Sequence, residues 1–361
     1  MRIGIGALVG IRGGPATYAH ELVAALSRLG GHRYVVFTDR PEDFEHLDVE
    51  RVHVPLPTTY HQVLWDHARL PGLIAAQRVG LYHGTKNILP WRLSVPGVVT
   101  VHDLAVYACP ETFAWPQRLH SQLCVPPSVR RAARVIADSV HARGDLVSRF
   151  HLDRERVPVV PLAVPLALAV PPAPAAIDAL RSRHGLGEHL VACVGTIQPR
   201  KRVEHVIDAF GRARGAERGW ELIIAGRLRP GYQPAWLHAL PAGVRWLGAL
   251  GDADLSALYA AAAIAMSASE YEGFGLTVLE AMAAGCAVVA VGVTSVPEVA
   301  GDAALLFDPR DELAIATAID RLLTDPDEAA RRRALGRQRA RLFTWERTAR
   351  ATLESYARAL E

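Results

Sequence analysis

Two glutamates and the main-chain amides between them are the groups in this sequence best suited to bind a phosphorylated, hydroxyl-rich ligand. Glu272 and Glu280 enclose the run Gly-Phe-Gly-Leu-Thr-Val-Leu. A carboxylate accepts two hydrogen bonds at once, which suits neighbouring hydroxyls of a ribose or a hexose. Either acid alone could instead stabilise a helix dipole. Together they indicate a site for a sugar nucleotide, in which a diphosphate links two sugars.

The segments around these glutamates predict a strand–loop–helix–strand unit of a parallel sheet. Ala261 to Met266 is a small apolar run typical of a buried strand, and Leu276 to Ala284 is predicted to be a short helix that ends at Gly285. Ala287 to Val291 is predicted to be the next strand. The first-turn amides near Gly275 to Thr277 would lack intrahelical partners, so they favour an anion such as phosphate.

Two cations in a run of three form a second candidate phosphate contact, and the third, Arg202, starts a predicted helix. Arg200, Lys201 and Arg202 follow Gly195, where the predicted strand Leu190 to Gly195 ends. An arginine binds phosphate oxygens as a fork and a lysine as a point charge. A basic run is more often exposed to solvent, so the prediction of a phosphate contact depends on the position of these residues at the end of a strand.

A glycine pair follows the first predicted strand. Gly13 and Gly14 lie between the strand Arg2 to Leu8 and the helix Tyr18 to Leu29, where glycine lets main chain approach a phosphate or eases a tight turn. The dinucleotide fingerprint Gly-x-Gly-x-x-Gly is absent, since the third glycine, Gly10, is one position too late. This spacing argues against a nicotinamide enzyme.

Polar side chains also stand where two other strands are predicted to end. His83 follows the strand around Leu81, and His102 and Asp103 follow Val98 to Val101. Ligands collect at the carboxyl ends of strands in open parallel sheets. Each histidine could equally be a core residue whose ring nitrogens are bonded internally.

The stretch from Glu272 to Glu280, with Tyr271 before it and Gly285 after it, resembles the two-glutamate motif of family 4 glycosyltransferases. The resemblance implies that Glu272 contacts hydroxyls of the donor sugar and that Glu280 holds the nucleotide ribose. It also implies contacts with the sugar and the diphosphate from five residues: Gly273, Phe274, Gly275, Leu276 and Thr277.

Other segments carry the same resemblance. Arg200 and Lys201 match the family's Gly-x-x-x-x-Arg-Lys pattern, which contacts donor phosphates, and Gly13 and Gly14 match a glycine pair that faces the diphosphate and the acceptor. The pair His102-Asp103 matches a His-Asp pair whose histidine points towards the reacting sugar. Asp103 would orient that histidine or hold the acceptor, and His83 is placed on the acceptor side. The implied catalytic groups are His102, Arg200, Lys201 and Glu272.

The resemblance spans nearly the whole chain and is strongest from Leu190 to Pro309. It implies an α/β protein of the GT-B fold, with two Rossmann-like parallel-sheet domains facing across a cleft. Residues 1–170 would form the acceptor-side domain, residues 171–343 the nucleotide-sugar-binding domain, and residues 344–361 a helix that crosses back to the first domain. Val159 to Pro165 is predicted to be the last strand before a Pro/Ala-rich connector.

The implied activity is retaining transfer of a hexosyl unit from a nucleoside diphosphate sugar to a hydroxyl, by a front-face mechanism without metal or other cofactor. The segment Tyr82 to Asn87 and the pair His102-Asp103 resemble bacterial mannosyltransferases of surface polysaccharide assembly, which favours GDP-mannose over a UDP sugar. Three alternatives stay open: a UDP-glucose-type glucosyltransferase, a GT-B phosphorylase or epimerase, and a nucleotide-sugar binder without turnover. Asp252 and Asp254 are predicted to be an N-cap and a first-turn acid of a helix rather than metal ligands.

Composition limits the classes of partner that this chain is expected to bind. The formal net charge of +3 is too small to argue for nucleic acid, and the four cysteines are scattered without a Cys-x-x-Cys pair. The chain has no apolar run of about 20 residues and starts on a predicted strand, so we expect a cytoplasmic protein. The acceptor is expected to be a saccharide or a lipid-linked saccharide. Arg130, Arg131 and Arg134 would be solvated or would meet the inner face of a membrane peripherally, and the oligomeric state stays open.

Overall fold

The computed structural model describes residues 1–8, 13–55 and 65–361. The chain divides into two compact units. The first comprises Met1–Leu162 with Thr344–Glu361, and the second comprises Ala163–Phe343. The division lies after Leu162, eight residues before the predicted boundary after residue 170, and the terminal segment Thr344–Glu361 belongs to the first unit.

The first unit contains a sheet of six parallel strands in the order β3-β2-β1-β4-β5-β6. The central strands are apolar runs buried on both faces, which is the pattern that helices on both sides of a parallel sheet require. The strands are β1 Arg2–Ala7, β2 Arg33–Thr38, β3 Glu50–His53, β4 Leu81–Gly84, β5 Gly97–Val101 and β6 Arg134–Ala137.

The second unit repeats this topology with the strand order β12-β11-β10-β7-β8-β9, again all parallel. In each sheet the strand order reverses direction between two central strands, β1 and β4 in the first and β7 and β10 in the second. Ligands of open α/β sheets bind at such switch points. The strands are β7 His189–Val194, β8 Trp220–Ala225, β9 Val244–Trp246, β10 Ile264–Ser267, β11 Ala287–Val291 and β12 Leu305–Phe307.

Fourteen α-helices connect these strands within the described residues, together with short 3-10 turns. Those of the first unit are α1 Gly14–Leu29, α2 Leu70–Ala76, α3 Ala105–Ala108, α4 Trp115–Arg131, α5 Val140–Phe150 and the terminal α14 Trp345–Leu360. Those of the second unit are α6 Leu166–Ala169, α7 Pro174–His184, α8 Val203–Arg212, α9 Asp252–Ala261, α10 Leu276–Ala284, α11 Val296–Ala300, α12 Glu312–Thr324 and α13 Pro326–Ala340.

Several local predictions are confirmed. Helix α10 and strand β11 have the predicted bounds, and Gly285 caps α10 in the left-handed region at φ 92°. Two caps follow the usual residue preferences: the hydroxyl oxygens of Ser139 and Thr344 accept hydrogen bonds from the amides of Ala142 and Arg347, as N-caps of α5 and α14 do. Capping is encoded within a few residues, so it can be predicted without knowledge of the tertiary structure.

The predicted strand Val159 to Pro165 is wrong. Only Val159 pairs with the first sheet, through an isolated bridge to Ala137. Pro158, Pro161 and Pro165 lack an amide hydrogen, so this segment cannot continue a ladder of main-chain hydrogen bonds.

The terminal helix α14 is held in the first unit by buried side chains. The Thr348 hydroxyl donates to the carbonyl oxygen of Pro161 at 2.7 Å, and the Tyr356 hydroxyl lies 2.8 Å from His83 Nδ1. Thr348 and Tyr356 are 2% and 1% exposed. The contacts explain why the last residues pack with the first part of the chain.

Gly285→Ala tests the helix end that precedes β11. An alanine held at φ 92° is strained because its Cβ crowds the following carbonyl, and the Cβ would also displace the guanidinium of Arg337. We therefore expect the free energy of unfolding to fall by about 1–2 kcal/mol. Gly285→Asn should cost less, since asparagine tolerates this region better. Urea unfolding measures both.

A matched control is Gly211→Ala, at an exposed position of α8 where an added Cβ would meet no atom within 4 Å. This variant should be more stable than the wild type by about 0.5–1 kcal/mol. Equal effects of the two alanine substitutions would contradict the proposed role of the left-handed cap.

Candidate active site

A buried ion pair joins the two segments that leave β7 and β10 at the switch point of the second sheet. Lys201 ends a 3-10 turn, Pro199–Lys201, and Glu272 lies in the loop between β10 and α10. Lys201 Nζ lies 2.5 Å from Glu272 Oε1, and both side chains are less than one-sixth exposed. The structure therefore brings together two of the predicted donor-binding residues.

Arg200 lies behind this pair and is 7% exposed. Its Nη1 lies 3.5 Å from Glu272 Oε2 and donates to the carbonyl oxygen of Tyr271 and, at 3.2 Å, to the hydroxyl of Ser269. These bonds turn the guanidinium into the loop that carries Glu272. Arg200 thus supplies positive charge and fixes the loop, while the Lys201 ammonium, with three donors, retains capacity for a ligand oxygen.

The charge state of Glu272 follows from its neighbours. Burial alone would raise the pKa of its carboxyl, but the positive charges of Lys201 and Arg200, with hydrogen bonds from Lys201 and Ser269, lower the pKa to about 2. Glu272 is therefore ionised throughout the physiological range. A carboxylate held in this way is a weak base and a hydrogen-bond acceptor for hydroxyl groups.

The loop after β11 fixes the main chain of Glu272. The Glu272 amide donates to Thr294 Oγ1 at 3.0 Å, and the Ser295 hydroxyl donates to the Glu272 carbonyl oxygen at 2.8 Å. Ser295 is fully buried, and Thr294 adopts a positive φ of 55°. The sequence analysis missed both residues, because their role depends on a contact between separate loops.

The start of α10 presents main-chain donors beside Lys201. Gly275 is the N-cap residue at φ 95°, so the first-turn amides of Leu276 and Thr277 lack intrahelical partners. A Cβ placed on Gly195 would lie 3.8 Å from Lys201 Cε and 4.0 Å from Thr277 Cγ2, so these two side chains flank the end of β7. The predicted phosphate contacts of α10 and of Lys201 therefore share one location.

Gly273 and Phe274 complete the loop between the two glutamates. The Phe274 side chain is 5% exposed and packs edge-on against Phe343, with ring centroids 5.8 Å apart. The predicted contact of Phe274 with the sugar or the diphosphate would therefore come from its main chain.

Glu280 has a different environment from Glu272. It lies on α10, is 7% exposed, and its Oε2 accepts a hydrogen bond from the Tyr259 hydroxyl at 3.1 Å. Burial raises the pKa of its carboxyl to about 7, and nearby Asp252 adds to the rise, although Tyr259 and Lys201 oppose it. Near neutral pH this glutamate thus exchanges between its acid and its carboxylate.

In the first unit, His102 uses both ring nitrogens within the protein. Nδ1 lies 2.7 Å from Asp138 Oδ2, and Nε2 lies 2.9 Å from the carbonyl oxygen of Thr85. Burial opposes the charged ring, but the Asp138 carboxylate outweighs it and raises the pKa of His102. Since a carbonyl only accepts, Nε2 carries a proton. Both ring nitrogens are held in place, and Asp138, which the sequence analysis did not single out, is the residue that orients the ring.

Asp103 was expected to orient His102 or hold the acceptor. Its Oδ1 instead accepts a hydrogen bond from the Ala105 amide at 3.0 Å, which caps the turn that follows β5. The orienting part of that prediction is corrected by the Asp138 contact.

His83 is fully buried, and its ring is bonded on both sides. Nδ1 lies 2.8 Å from the Tyr356 hydroxyl, and Nε2 lies 2.8 Å from Thr100 Oγ1. Burial, with His102 nearby, lowers the pKa of His83 to about 3, so the ring is neutral. This geometry contradicts the predicted acceptor-side role, because no ring atom is left for a ligand.

The glycine pair lies at the start of α1. Gly13 is the N-cap residue in extended conformation, Gly14 begins the helix, and a Cβ on either would meet no atom within 4 Å. Gly10, Ile11 and Arg12 lie outside the described residues, so the predicted loop is described only from Gly13 onwards.

The Asp252–Asp254 pair begins α9, as predicted, but the N-cap is Gly251 and both acids lie in the first turn. Asp254 forms an ion pair with Arg183 at 2.7 Å. Across residues 1–8, 13–55 and 65–361, no group of three or more His, Cys, Asp or Glu side chains is arranged to hold a metal ion. In the same part of the chain, no helix is both long and apolar enough to cross a membrane.

Comparison with known proteins places this geometry in context. Residues 177–339 match the family described as "Glycosyl transferases group 1", and residues 12–168 match "Glycosyltransferase Family 4". The chain is 32% identical to the O-antigen chain mannosyltransferase B of Escherichia coli over 289 residues, which is 76% of this chain and 74% of that protein.

Solved structures share the whole fold. Sucrose-phosphate synthase from Thermosynechococcus elongatus matches with a TM-score of 0.79 at 22% identity, over 99% of this chain and 98% of that chain. Anabaena HepE in complex with UDP-glucose matches with a TM-score of 0.79 at 21% identity, over 99% of both chains. The predicted GT-B fold is confirmed.

Glu280→Gln tests the buried acid. The pKa of Glu280 is about 7 in the folded chain against an ordinary 4.5, so the folded state binds more protons between these values. Wild-type stability should therefore fall as the pH rises from about 4.5 through 7, by on the order of 3 kcal/mol. The glutamine variant should lose this part of the decline, as measured by urea unfolding at pH 5, 6.5 and 8.

Glu188→Gln serves as the control, because Glu188 is exposed in the same unit and should leave the pH dependence as in the wild type. Parallel stability curves for the wild type and Glu280→Gln would show that Glu280 does not titrate in this range.

Proposed function

Because the chain belongs to glycosyltransferase family 4 and is a hexosyltransferase, we propose that it transfers a mannosyl unit from a nucleoside diphosphate sugar to a hydroxyl of a saccharide or lipid-linked saccharide. The observation that carries the proposal is the buried Lys201–Glu272 pair beside the first-turn amides of α10. A cation, a carboxylate and free main-chain donors meet there, as a sugar diphosphate requires.

We assign the donor groups from this geometry. The diphosphate would take the amides of Leu276 and Thr277 and the Lys201 ammonium, with Arg200 adding charge from behind. Glu272, ionised and fixed by Lys201, would accept hydrogen bonds from hydroxyls of the transferred sugar. Glu280 would hold the ribose.

The proposed reaction retains the configuration of the transferred sugar. The acceptor hydroxyl forms its bond to the anomeric carbon on the face from which the diphosphate leaves, and its proton passes to the departing phosphate oxygen. Lys201, Arg200 and the α10 amides would stabilise the charge that develops on the diphosphate. Glu272 is a poor nucleophile because two cations depress its pKa.

Two further features of the proposal follow from the side chains. It needs no metal or other cofactor, since Lys201 and Arg200 supply the positive charge at the diphosphate. It also assigns no proton transfer to His102, because both ring nitrogens are already bonded to Asp138 and Thr85. His102 would act as a fixed polar group on the acceptor side.

The sugar and the base of the donor are the finer part of the proposal. Similarity to a mannosyltransferase over 76% of this chain favours a mannosyl donor, and GDP-mannose is the donor we expect. A UDP-glucose-type donor is the second candidate, since the HepE structure of the same fold was solved with UDP-glucose.

A donor panel tests the proposal. We expect GDP to raise the thermal unfolding midpoint more than UDP or ADP, and GDP-mannose to be turned over in the presence of EDTA. Turnover of UDP-glucose alone would move the assignment to a glucosyltransferase. Binding without turnover of any sugar nucleotide, with saccharide acceptors present, would indicate a binder, and no nucleotide binding at all would overturn the proposal.

Lys201→Ala should lower kcat about 10²–10³-fold, the usual effect of removing one group that stabilises developing charge. Arg202→Gln is the matched control. Arg202 is the adjacent residue and pairs with Glu270, and 40% of its side chain is exposed. Turnover by Lys201→Ala close to that of Arg202→Gln, in folded protein, would exclude Lys201 from the diphosphate site.

We further propose a peripheral membrane contact, and it rests on helix α4. Trp115, Leu119 and Leu123 are 71%, 45% and 59% exposed at successive intervals of four residues. At about 100° per residue they form one face, and the exposed Arg130 continues it. An apolar stripe with a cation beside it suits the interface of an anionic membrane, where a lipid-linked acceptor would lie.

The double variant Leu119→Gln, Leu123→Gln should bind vesicles that contain phosphatidylglycerol about tenfold more weakly than the wild type, because two apolar contacts with lipid are lost. Leu313→Gln is the control, since Leu313 is 61% exposed but lies in the second unit. Vesicle co-sedimentation measures both, and equal binding by the wild type and the double variant would remove α4 from the contact.

A further inference from the structure

Tyr259 lies beneath the carboxyl group that the proposed function assigns to the ribose. It stands on α9, is 1% exposed, and its hydroxyl lies 3.1 Å from Glu280 Oε2. The next acceptor, the carbonyl oxygen of Thr277, is 3.5 Å away. A phenol has one proton to donate, and the shorter contact to the carboxyl is the better hydrogen bond.

The two oxygens of Glu280 are not equivalent. Oε2 is bonded to Tyr259, whereas Oε1 has no hydrogen-bond partner within the part of the chain that the structure describes. Burial raises the pKa of Tyr259 well above its ordinary value, so the phenol keeps its proton and remains a donor. The hydrogen bond thus holds the carboxyl in one orientation and leaves one oxygen for a ligand.

Tyr259 is itself firmly placed. The Cys286 sulfur lies 3.2 and 3.3 Å from the main-chain carbonyl oxygens of Tyr259 and Ala262, between which its single proton is shared. Cys286 immediately precedes β11, so the end of α9 is tied to the sheet that carries the site. The contacts fix the main chain from which the buried Tyr259 side chain reaches Glu280.

We propose that Tyr259 is a positioning residue for nucleotide binding: its hydroxyl orients the Glu280 carboxylate so that it accepts hydrogen bonds from the vicinal hydroxyls of the ribose. The proposal rests on the proposed function, which places the ribose at Glu280. It adds a residue of α9 that touches neither the ribose nor the reacting atoms and acts through Glu280.

The same contact affects the pH range of binding. The groups that act on the Glu280 carboxyl are Tyr259 and Asp252 from α9 and Lys201 from the turn after β7, whereas the thiols of Cys193 and Cys286 act on Tyr259. The Tyr259 hydrogen bond favours the carboxylate, so its loss should move the acid–carboxylate transition of Glu280 to higher pH. The carboxylate accepts hydrogen bonds from two ribose hydroxyls, and the protonated acid accepts fewer hydrogen bonds.

The test compares Tyr259→Phe with the wild type in calorimetric titrations against GDP, UDP and their 2′,3′-dideoxy analogues. We expect the dissociation constant of the preferred ribonucleotide to rise about three- to tenfold at pH 7.5, the effect of one hydrogen bond. The dideoxy analogue should bind equally to both proteins. The pH below which ribonucleotide binding weakens should be higher in the variant.

Tyr34→Phe is the control, because Tyr34 is also buried and its hydroxyl has no partner among the residues described. It should bind every nucleotide as the wild type does. Equal weakening of the ribonucleotide and the dideoxy analogue by Tyr259→Phe, or no change in either, would overturn the positioning role. Failure of the wild type to bind any of the four nucleotides would instead overturn the proposed function.

Discussion

The buried pair of Lys201 and Glu272 is the interaction on which the candidate site depends. Two charges are withdrawn from water at the switch point of the second sheet, where neither would be stable alone. The loop from which Glu272 projects is fixed by hydrogen bonds that involve Arg200, Ser269, Thr294 and Ser295. The arrangement holds a carboxylate and an ammonium in place before any ligand arrives, so little reorganisation is needed on binding.

The two glutamates of the motif show how position within a fold changes the protonation of identical side chains. Two cations outweigh the burial of Glu272 and lower its pKa to about 2, whereas burial, with Asp252 nearby, raises the pKa of Glu280 to about 7 against the opposing hydrogen bond from Tyr259. One is a permanent anion and the other titrates near neutrality. If the site binds a sugar nucleotide as proposed, only its ribose end would therefore respond to pH near neutrality.

The first unit contains a buried network of polar side chains. Tyr18, Thr100, His83 and Tyr356 form a continuous chain of buried polar contacts that includes the terminal helix α14. His102 packs edge-on against Tyr18 and is held by Asp138 and Thr85. These histidines stand at strand ends, where ligands often bind, yet one is wholly internal and the other has both nitrogens engaged.

The sequence by itself determined the strand–loop–helix–strand unit around the two glutamates, the bounds of α10 and β11, the cap at Gly285 and the family motif. Each depends on apolar periodicity or on backbone preferences of neighbouring residues. The failed strand at Val159 to Pro165 was the exception, because its prolines outweighed its apolar character. Only the tertiary structure decided which acid is ionised, that Asp138 rather than Asp103 orients His102, that His83 is internal, and that Tyr259 supports Glu280. Protonation and side-chain pairing depend on burial and on partners far apart in the chain, such as Lys201 and Glu272, which are 71 residues apart.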